Sequence, residues 1–289
     1  MKKKAYLMLL ASMLIFGTNG LLVSGVSVSS AGIVFFRTLF GGAGLLAALL
    51  LQKKTDWGLL KKDLPALVPA GIFLGLNWVF LFSSYRLLGV SLSTLIYYAG
   101  PMLVVLVSPF LFREKTAWNK WVALGLVVVG AVFITGSVRS AEGSSSGLLY
   151  AFAAALCYAL VVLTSKYVKH VKGLLCSFTE IAVAFVIVTV YLLATEGLPK
   201  IASGKELTML LILGIVNTGA AYFLYFSSIR MLPGQTVGLC SYLDPVTALI
   251  LSALVLHETM NGMQWLGALL IIGGAVFGEL AFHKKAARE

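Results

Sequence analysis

Charge is what this chain of 289 residues has least of. Only 11% of its residues are Asp, Glu, Lys or Arg, whereas a water-soluble domain carries roughly 25%. That shortage excludes a soluble enzyme, a disordered chain and a nucleic-acid-binding domain, despite a net charge of +11. Cysteine is scarce as well. Cys157, Cys176 and Cys240 lie in apolar runs without C-x-x-C spacing, which supports buried free thiols rather than a disulfide or metal framework. Catalytic signatures are missing too. With no G-x-x-x-x-G-K-[ST] loop, ATP is not the direct driver, and no G-x-S-x-G nucleophile turn occurs. His257-Glu258-Thr259-Met260-Asn261 lacks the second histidine of a zinc peptidase. His170, His257 and His283 fall in or beside loops and form no relay by spacing. No cofactor and no metal are expected.

What is abundant is hydrophobicity: 60% of the residues, with a mean hydropathy of +0.97. Charges and turn residues divide the chain into ten apolar runs, near 5–24, 31–51, 64–84, 91–112, 118–137, 147–168, 174–195, 207–229, 235–256 and 263–282. Backbone groups in hydrocarbon must be paired within their own segment, so each run is expected to be a membrane-spanning helix. Met1-Lys2-Lys3-Lys4 followed by an apolar run imitates a signal peptide. No small-x-small cleavage site follows, and the first run is read as an uncleaved span. With the N-terminus inside, 17 of the 22 Lys and Arg fall in cytoplasmic segments, four fall outside, and Arg37 lies within a span. Both termini are therefore expected in the cytoplasm, with the chain multi-pass in the cell membrane. The positive charge is accounted for by topology, so the lipid bilayer is a partner and nucleic acid is not.

The second half repeats the first. Residues 83–133 align without gaps to 227–277, and the matches include polar and rigid residues. Arg86 answers Arg230, Tyr98 answers Tyr242, Pro101 answers Pro245, Glu114 answers Glu258, and Trp121 answers Trp265. Gly130-Ala131-Val132-Phe133 answers Gly274-Ala275-Val276-Phe277. Five spans per half is an odd number, so the second copy must be upside down relative to the first. The expected fold is all-α: ten transmembrane helices as two inverted five-helix repeats, 1–138 and 145–289, joined by the flexible Gly143-Ser144-Ser145-Ser146-Gly147 link. Inverted repeats are how many secondary transporters open one central site to either side.

Phe16-Gly17-Thr18-Asn19 resembles the W-G-x-N signature of EamA-like members of the drug/metabolite transporter superfamily, with Phe in place of Trp. The twin elements Pro101 to Glu114 and Pro245 to Glu258, each followed by Trp and Gly-rich stretches, resemble that family's fourth-to-fifth and ninth-to-tenth span junctions. The resemblance implies ten helices in two inverted repeats and export of amino acids or other small metabolites. It also implies a cavity lined by spans one, three, four, six, eight and nine.

Several residues are candidates for that cavity, each with a plainer alternative. Asp244 is about nine residues into its span, ~13 Å deep at 1.5 Å per residue, where a carboxylate is costly. It suits a substrate ammonium or proton coupling; otherwise it is half of an Asp-Pro break satisfied by hydroxyls. Arg37 suits a substrate carboxylate, or snorkels to the outer interface. Glu180, at the matching place in the seventh span, is a weaker candidate with snorkelling toward the inner surface as its alternative. A ~30 Å core separates the two too widely for pairing. Asn19, Asn77 and Asn217 are either ligand contacts or interhelical glue. Trp78, Tyr97, Tyr98, Tyr158, Tyr222 and Tyr242 are either packing or an aromatic wall for an organic cation or an apolar side chain. Pro101 and Pro245 remove a helix hydrogen bond and serve either as hinges or as static kinks. Glu114 and Glu258, at span ends, read as helix caps or ion-pair partners. Small-residue stripes such as Gly71/Gly75 and Gly274/Gly278 read as helix contacts.

The expected function is secondary active export of a small molecule, most simply an amino acid or similar amphipathic compound, by a monomer or homodimer. A sugar-phosphate or nucleotide-sugar transporter would need more intramembrane cations than Arg37 alone. An intramembrane enzyme is opposed by the missing nucleophile and metal motifs.

Overall fold

The computed structural model describes residues 2–23, 25–51, 55–88, 93, 96–97, 99–113, 118–136, 145–255 and 262–286. Among them all regular structure is helical. The first half contains α1 (Lys2–Gly17), α2 (Asn19–Val23), α3 (Ser30–Leu51), α4 (Leu60–Leu88), α5 (Ala99–Phe112) and α6 (Trp118–Gly136). The second contains α7 (Ser145–Ser165), α8 (Gly173–Thr195), α9 (Gly204–Ile212), a π-helical stretch Leu213–Ala220, α10 (Ala221–Ile229), α11 (Gly234–Ser241), α12 (Leu243–Val255) and α13 (Gly262–Ala286). Among the described residues six stretches are long and apolar enough to cross a bilayer: Lys3–Val23, Ser30–Leu51, Trp57–Leu87, Ser145–Ser165, Gly173–Thr195 and Gly204–Ile229. Shorter apolar helices cover Ala99–Phe112, Trp118–Phe133 and Trp265–Gly274. Large apolar side chains such as Leu50, Phe110, Val190 and Leu269 are exposed, as a lipid-facing surface requires.

Helix is described within every apolar run read from the sequence, but among the described residues three runs are interrupted. The first breaks at Thr18, whose hydroxyl donates back to the Ile15 carbonyl at 2.7 Å. The eighth loosens into the π stretch, and the ninth breaks at Tyr242. Helix is described at 96–97 and again from Ala99 through Pro101, whereas Pro245 is the third residue of α12, after the turn at Tyr242, and sits in its first helical turn. Proline is tolerated there, because those N–H groups have no intrahelical partner to lose. The break beside Pro245 lies at Tyr242, rather than as a kink within one continuous helix. Tyr98, Glu114, Glu258, residues 143–144 of the link and the Pro245 side chain lie outside the described residues.

The closest packing joins one half of the chain to the other. α1 packs on α10 and α12, and α3 on α8 and the π stretch. α4 packs on α7 and α8, α5 on α7 and α11, and α6 on α13. Exchanging each helix for its counterpart in the other half reproduces the same set of pairs. Glycines repeat the pattern in detail. A Cβ on Gly71 would come within 2.5 Å of the Val183 side chain, and one on Gly214 within 2.4 Å of Phe40. A Cβ on Gly130 would meet the Gly267 carbonyl at 2.6 Å, and one on Gly274 the Ala123 carbonyl at 3.1 Å. Hydrocarbon gives helices no hydrophobic reason to associate, so such close approaches supply the packing contact that holds them.

Two carboxylates complete the frame. Asp63, early in α4, accepts the backbone N–H groups of His170 and Val171 at 2.7 Å each, and its other oxygen meets His170 Nδ1 at 2.9 Å. Glu206, early in α9, accepts from the Ser27 and Val28 N–H groups at 2.6 and 3.0 Å, from the Ser27 hydroxyl at 2.9 Å, and from Ala202 N–H at 2.7 Å. Each acid belongs to one half and clasps a loop of the other. The clasps lie at opposite ends of the bundle. Glu206 holds the loop leading into α3. Asp63 holds the loop leading into α8, beside a cluster that includes Leu49 near the far end of α3.

Candidate functional site

Between the halves is a cavity of about 460 Å³. Its wall draws on α1, α2, α4, α5, α7, α10, α11 and α12, the six runs expected, and through Arg37 on α3 as well. The cavity extends past Asn19, Gly20 and Val23 on one side and Phe82 and Tyr85 on the other, toward the Glu206 end of the bundle. Toward the Asp63 end it stops. There Tyr158 donates to Ser241 Oγ at 2.6 Å and lies 3.3 Å from the Tyr225 hydroxyl. Beneath these, Leu9, Val104, Val162, Phe226, Ile229 and Val237 are fully buried against one another.

Most of the lining is apolar or aromatic. Phe16 lies 4.7 Å from Tyr222 by ring centroid, Trp78 meets Tyr222 edge-on at 5.3 Å, and Tyr97 meets Tyr158 at 5.8 Å. Such tilted and edge-on pairs are the favoured aromatic geometries and fix the shape of the wall. Asn77 is held by its own bonds: Nδ2 donates to the Ala154 carbonyl at 2.7 Å, and Oδ1 accepts from Tyr97 at 3.4 Å.

Arg37 and Asp244 supply the charge. Arg37 is only 4% exposed, so it does not snorkel to an interface. Its Nε donates to Thr218 Oγ1 at 3.0 Å, and its guanidinium carbon lies 4.5 Å over the Trp78 ring, a cation–π contact that replaces part of its lost hydration. Asp244 is half-buried in the same wall. No direct ion pair joins the two, and both line the same cavity. A ligand with separated positive and negative groups could bridge them.

Other expected residues lie elsewhere. Asn217 is buried outside the cavity, where its amide nitrogen contacts the Ile15 carbonyl, Thr18 Oγ1 and Asn19 Oδ1 at 3.0, 2.8 and 3.1 Å. It ties the break in the first run to the π stretch. Tyr242 is 1% exposed among Val105, Leu124, Val127 and Ile271, because the break at its own position turns it toward α5, α6 and α13. Glu180 does not snorkel either. It is fully buried, accepting from Ser165 Oγ at 3.1 Å and Cys176 Sγ at 3.6 Å, and it does not line the cavity. The three cysteines are buried and outside any disulfide among the described residues. Pro101 lines the cavity; Asn19, Asn77, Trp78, Tyr158 and Tyr222 do too. Sequence reading passed over Thr218, Asp63 and Glu206.

The model of the EamA-like transporter family matches this chain twice, over residues 3–136 and 145–278. An uncharacterized transporter of Bacillus subtilis strain 168, YxxF, is 30% identical over 94% of this chain and 88% of its own length. Protein PecM of Dickeya dadantii strain 3937 is 27% identical over 70% of this chain and 69% of its own. An S-adenosylmethionine uptake transporter of Rickettsia felis is 21% identical over 88% of this chain and 84% of its own. A solved crystal structure superposes with a TM-score of 0.85 at 22% identity, covering 97% of this chain and all of the other. With its apolar helices, this is a multi-pass membrane protein.

Proposed function

From the premise that the chain belongs to the EamA-like transporter family, we propose that it is a secondary active exporter of amino acids or similar amphipathic metabolites. Two inverted five-helix repeats, 1–138 and 145–289, enclose the cavity and open it alternately to either side. The interchangeable helix pairs, the matched glycine contacts and the opposed Asp63 and Glu206 clasps support the inverted repeat. With both termini cytoplasmic, the Glu206 end is the outer one and this conformation faces outward.

The observation that carries the substrate class is the pairing of Arg37 with Asp244 in an aromatic wall. Arg37 receives a carboxylate, Asp244 an ammonium, and the aromatic surface the side chain. A sugar phosphate is a poorer fit, because among the lining residues Arg37 is the single lysine or arginine and a carboxylate shares its cavity. Asp244 also serves as the proton-coupling group: exchanging a proton for the substrate ammonium on one carboxylate makes occupancy by the two mutually exclusive. Coupled transport requires that kind of differential binding.

The test is flux in proteoliposomes. Purified protein is reconstituted with an imposed pH gradient and offered labelled amino acids, amines, S-adenosylmethionine and sugar phosphates, in both orientations. The proposal expects gradient-driven movement of zwitterions in the export direction. Transport restricted to phosphorylated sugars would overturn it, and S-adenosylmethionine uptake would overturn its direction.

A further inference from the structure

Resting on the transport reading above, we propose that Thr218 is a positioning residue that aims the Arg37 guanidinium at the substrate carboxylate, and that the π stretch exists to place it. Thr218 does not line the cavity and is fully buried. It touches the site through Arg37.

The local geometry sets Thr218 apart. Other threonines in these helices bond back four residues, among them Thr164 to Leu160, Thr179 to Leu175 and Thr189 to Phe185. That is the usual way a helical hydroxyl satisfies itself. Thr218 instead donates to the carbonyl of Leu213, five residues back, at 2.8 Å. The wider turn of a π-helix makes this reach available, and π segments gather at functional sites. Donation to Leu213 commits the only hydroxyl hydrogen, so the oxygen can only accept toward α3. It accepts from Arg37 Nε.

This arrangement leaves the rest of the guanidinium for a ligand. Arg37 is held by Nε and by the Trp78 face, while neither terminal nitrogen has a hydrogen bond among the described residues. Two parallel N–H donors in a fixed plane are the geometry that reads a carboxylate. The approach of the two backbones keeps the placement rigid. A Cβ on Gly41 would lie 2.8 Å from the Gly214 carbonyl and 2.9 Å from Thr218 Cβ. Only a glycine at that position lets α3 and the π stretch come close enough for the hydroxyl to reach Arg37.

The experiment compares wild type, Thr218→Val and Thr218→Ser in proteoliposomes, using L-phenylalanine and 2-phenylethylamine, the same molecule without its carboxylate. Thr218→Val is expected to raise the KM for phenylalanine about tenfold with Vmax changed less than about twofold. The KM for phenylethylamine stays put, and Thr218→Ser restores the wild-type value. A parallel rise for both compounds, a loss confined to Vmax, or a serine variant no better than valine would overturn the proposal. If wild type carries neither compound, the substrate assignment fails separately. Thr218 is then judged by phenylglyoxal labelling of Arg37, read by mass spectrometry. Faster labelling in Thr218→Val than in wild type and Thr218→Ser supports the positioning role; equal rates overturn it.

Discussion

α4 and the stretch from α9 to α10 are counterparts that begin alike and end differently. Both carry an acid in an early turn, Asp63 and Glu206, that clasps a loop of the opposite half. Both press a glycine, Gly71 and Gly214, against a helix of that half. At the glycine they part. α4 runs on as regular helix through Asn77 and Trp78, whereas its counterpart opens into the π stretch that presents Asn217 and Thr218. The same division holds elsewhere. Arg37 lies in the cavity where its counterpart Glu180 is buried away from it, and Asp244 answers Gly100. What the halves share holds the frame; where they differ, the cavity takes its charges.

The sharpest way to break this comparison is to remove the unshared charges. Arg37→Ala should lower flux about 100-fold, because a charged hydrogen-bond partner of the transported molecule contributes about 1.5–3 kcal/mol and each 1.4 kcal/mol is about tenfold. Asp244→Asn should lower it about tenfold and flatten its pH dependence. Proteoliposome flux alongside thermal unfolding checks both, and unchanged flux with unchanged pH dependence would remove Asp244 from the site. Shared positions should behave as a matched pair instead. Gly71→Val and Gly214→Val should each destabilise the protein by about 1–3 kcal/mol, the usual cost of overpacking, seen as similar drops in unfolding temperature. Strongly unequal drops would deny that the two contacts are equivalent.

The smallest effect is expected at the clasps. Both are closed in this conformation, so losing either carboxylate should weaken the frame by a similar amount. Asp63→Asn and Glu206→Gln should each cost about 1 kcal/mol, read as matched small drops in unfolding temperature. A drop confined to one of them would mean that the two clasps are not equivalent.

Much of the frame was legible in the sequence. Hydrophobic runs bounded by charge mark helices because lipid allows the backbone no other pairing. The Arg, Pro, Glu and Trp matches between halves survive where apolar residues drift. The clasps escaped because an acid at a span end looks like a solvated charge, and because Asp63 and Glu206 precede the aligned segment. Lys62-Asp63-Leu64 against Lys205-Glu206-Leu207 was the available signal. Site residues were legible by type but not by direction. Arg37 and Asp244 stand out as charges in apolar runs. Asn217 and Tyr242 look as suitable as Asn77 and Tyr222, and only tertiary packing decides which of them face the cavity. The π stretch left no sequence mark: Leu213–Ala220 has no proline, and its register depends on how closely α3 approaches.

The central claim, two copies placed upside down around one cavity, is tested most directly by single cysteines at Lys62 and Lys205, the exposed neighbours of the two clasp acids. Each would be introduced into a chain whose native cysteines are replaced, then labelled in intact cells with an impermeant thiol reagent before and after permeabilisation. The inverted arrangement predicts that position 205 reacts in intact cells and position 62 only after permeabilisation. Reaction of both positions from the same side would contradict it.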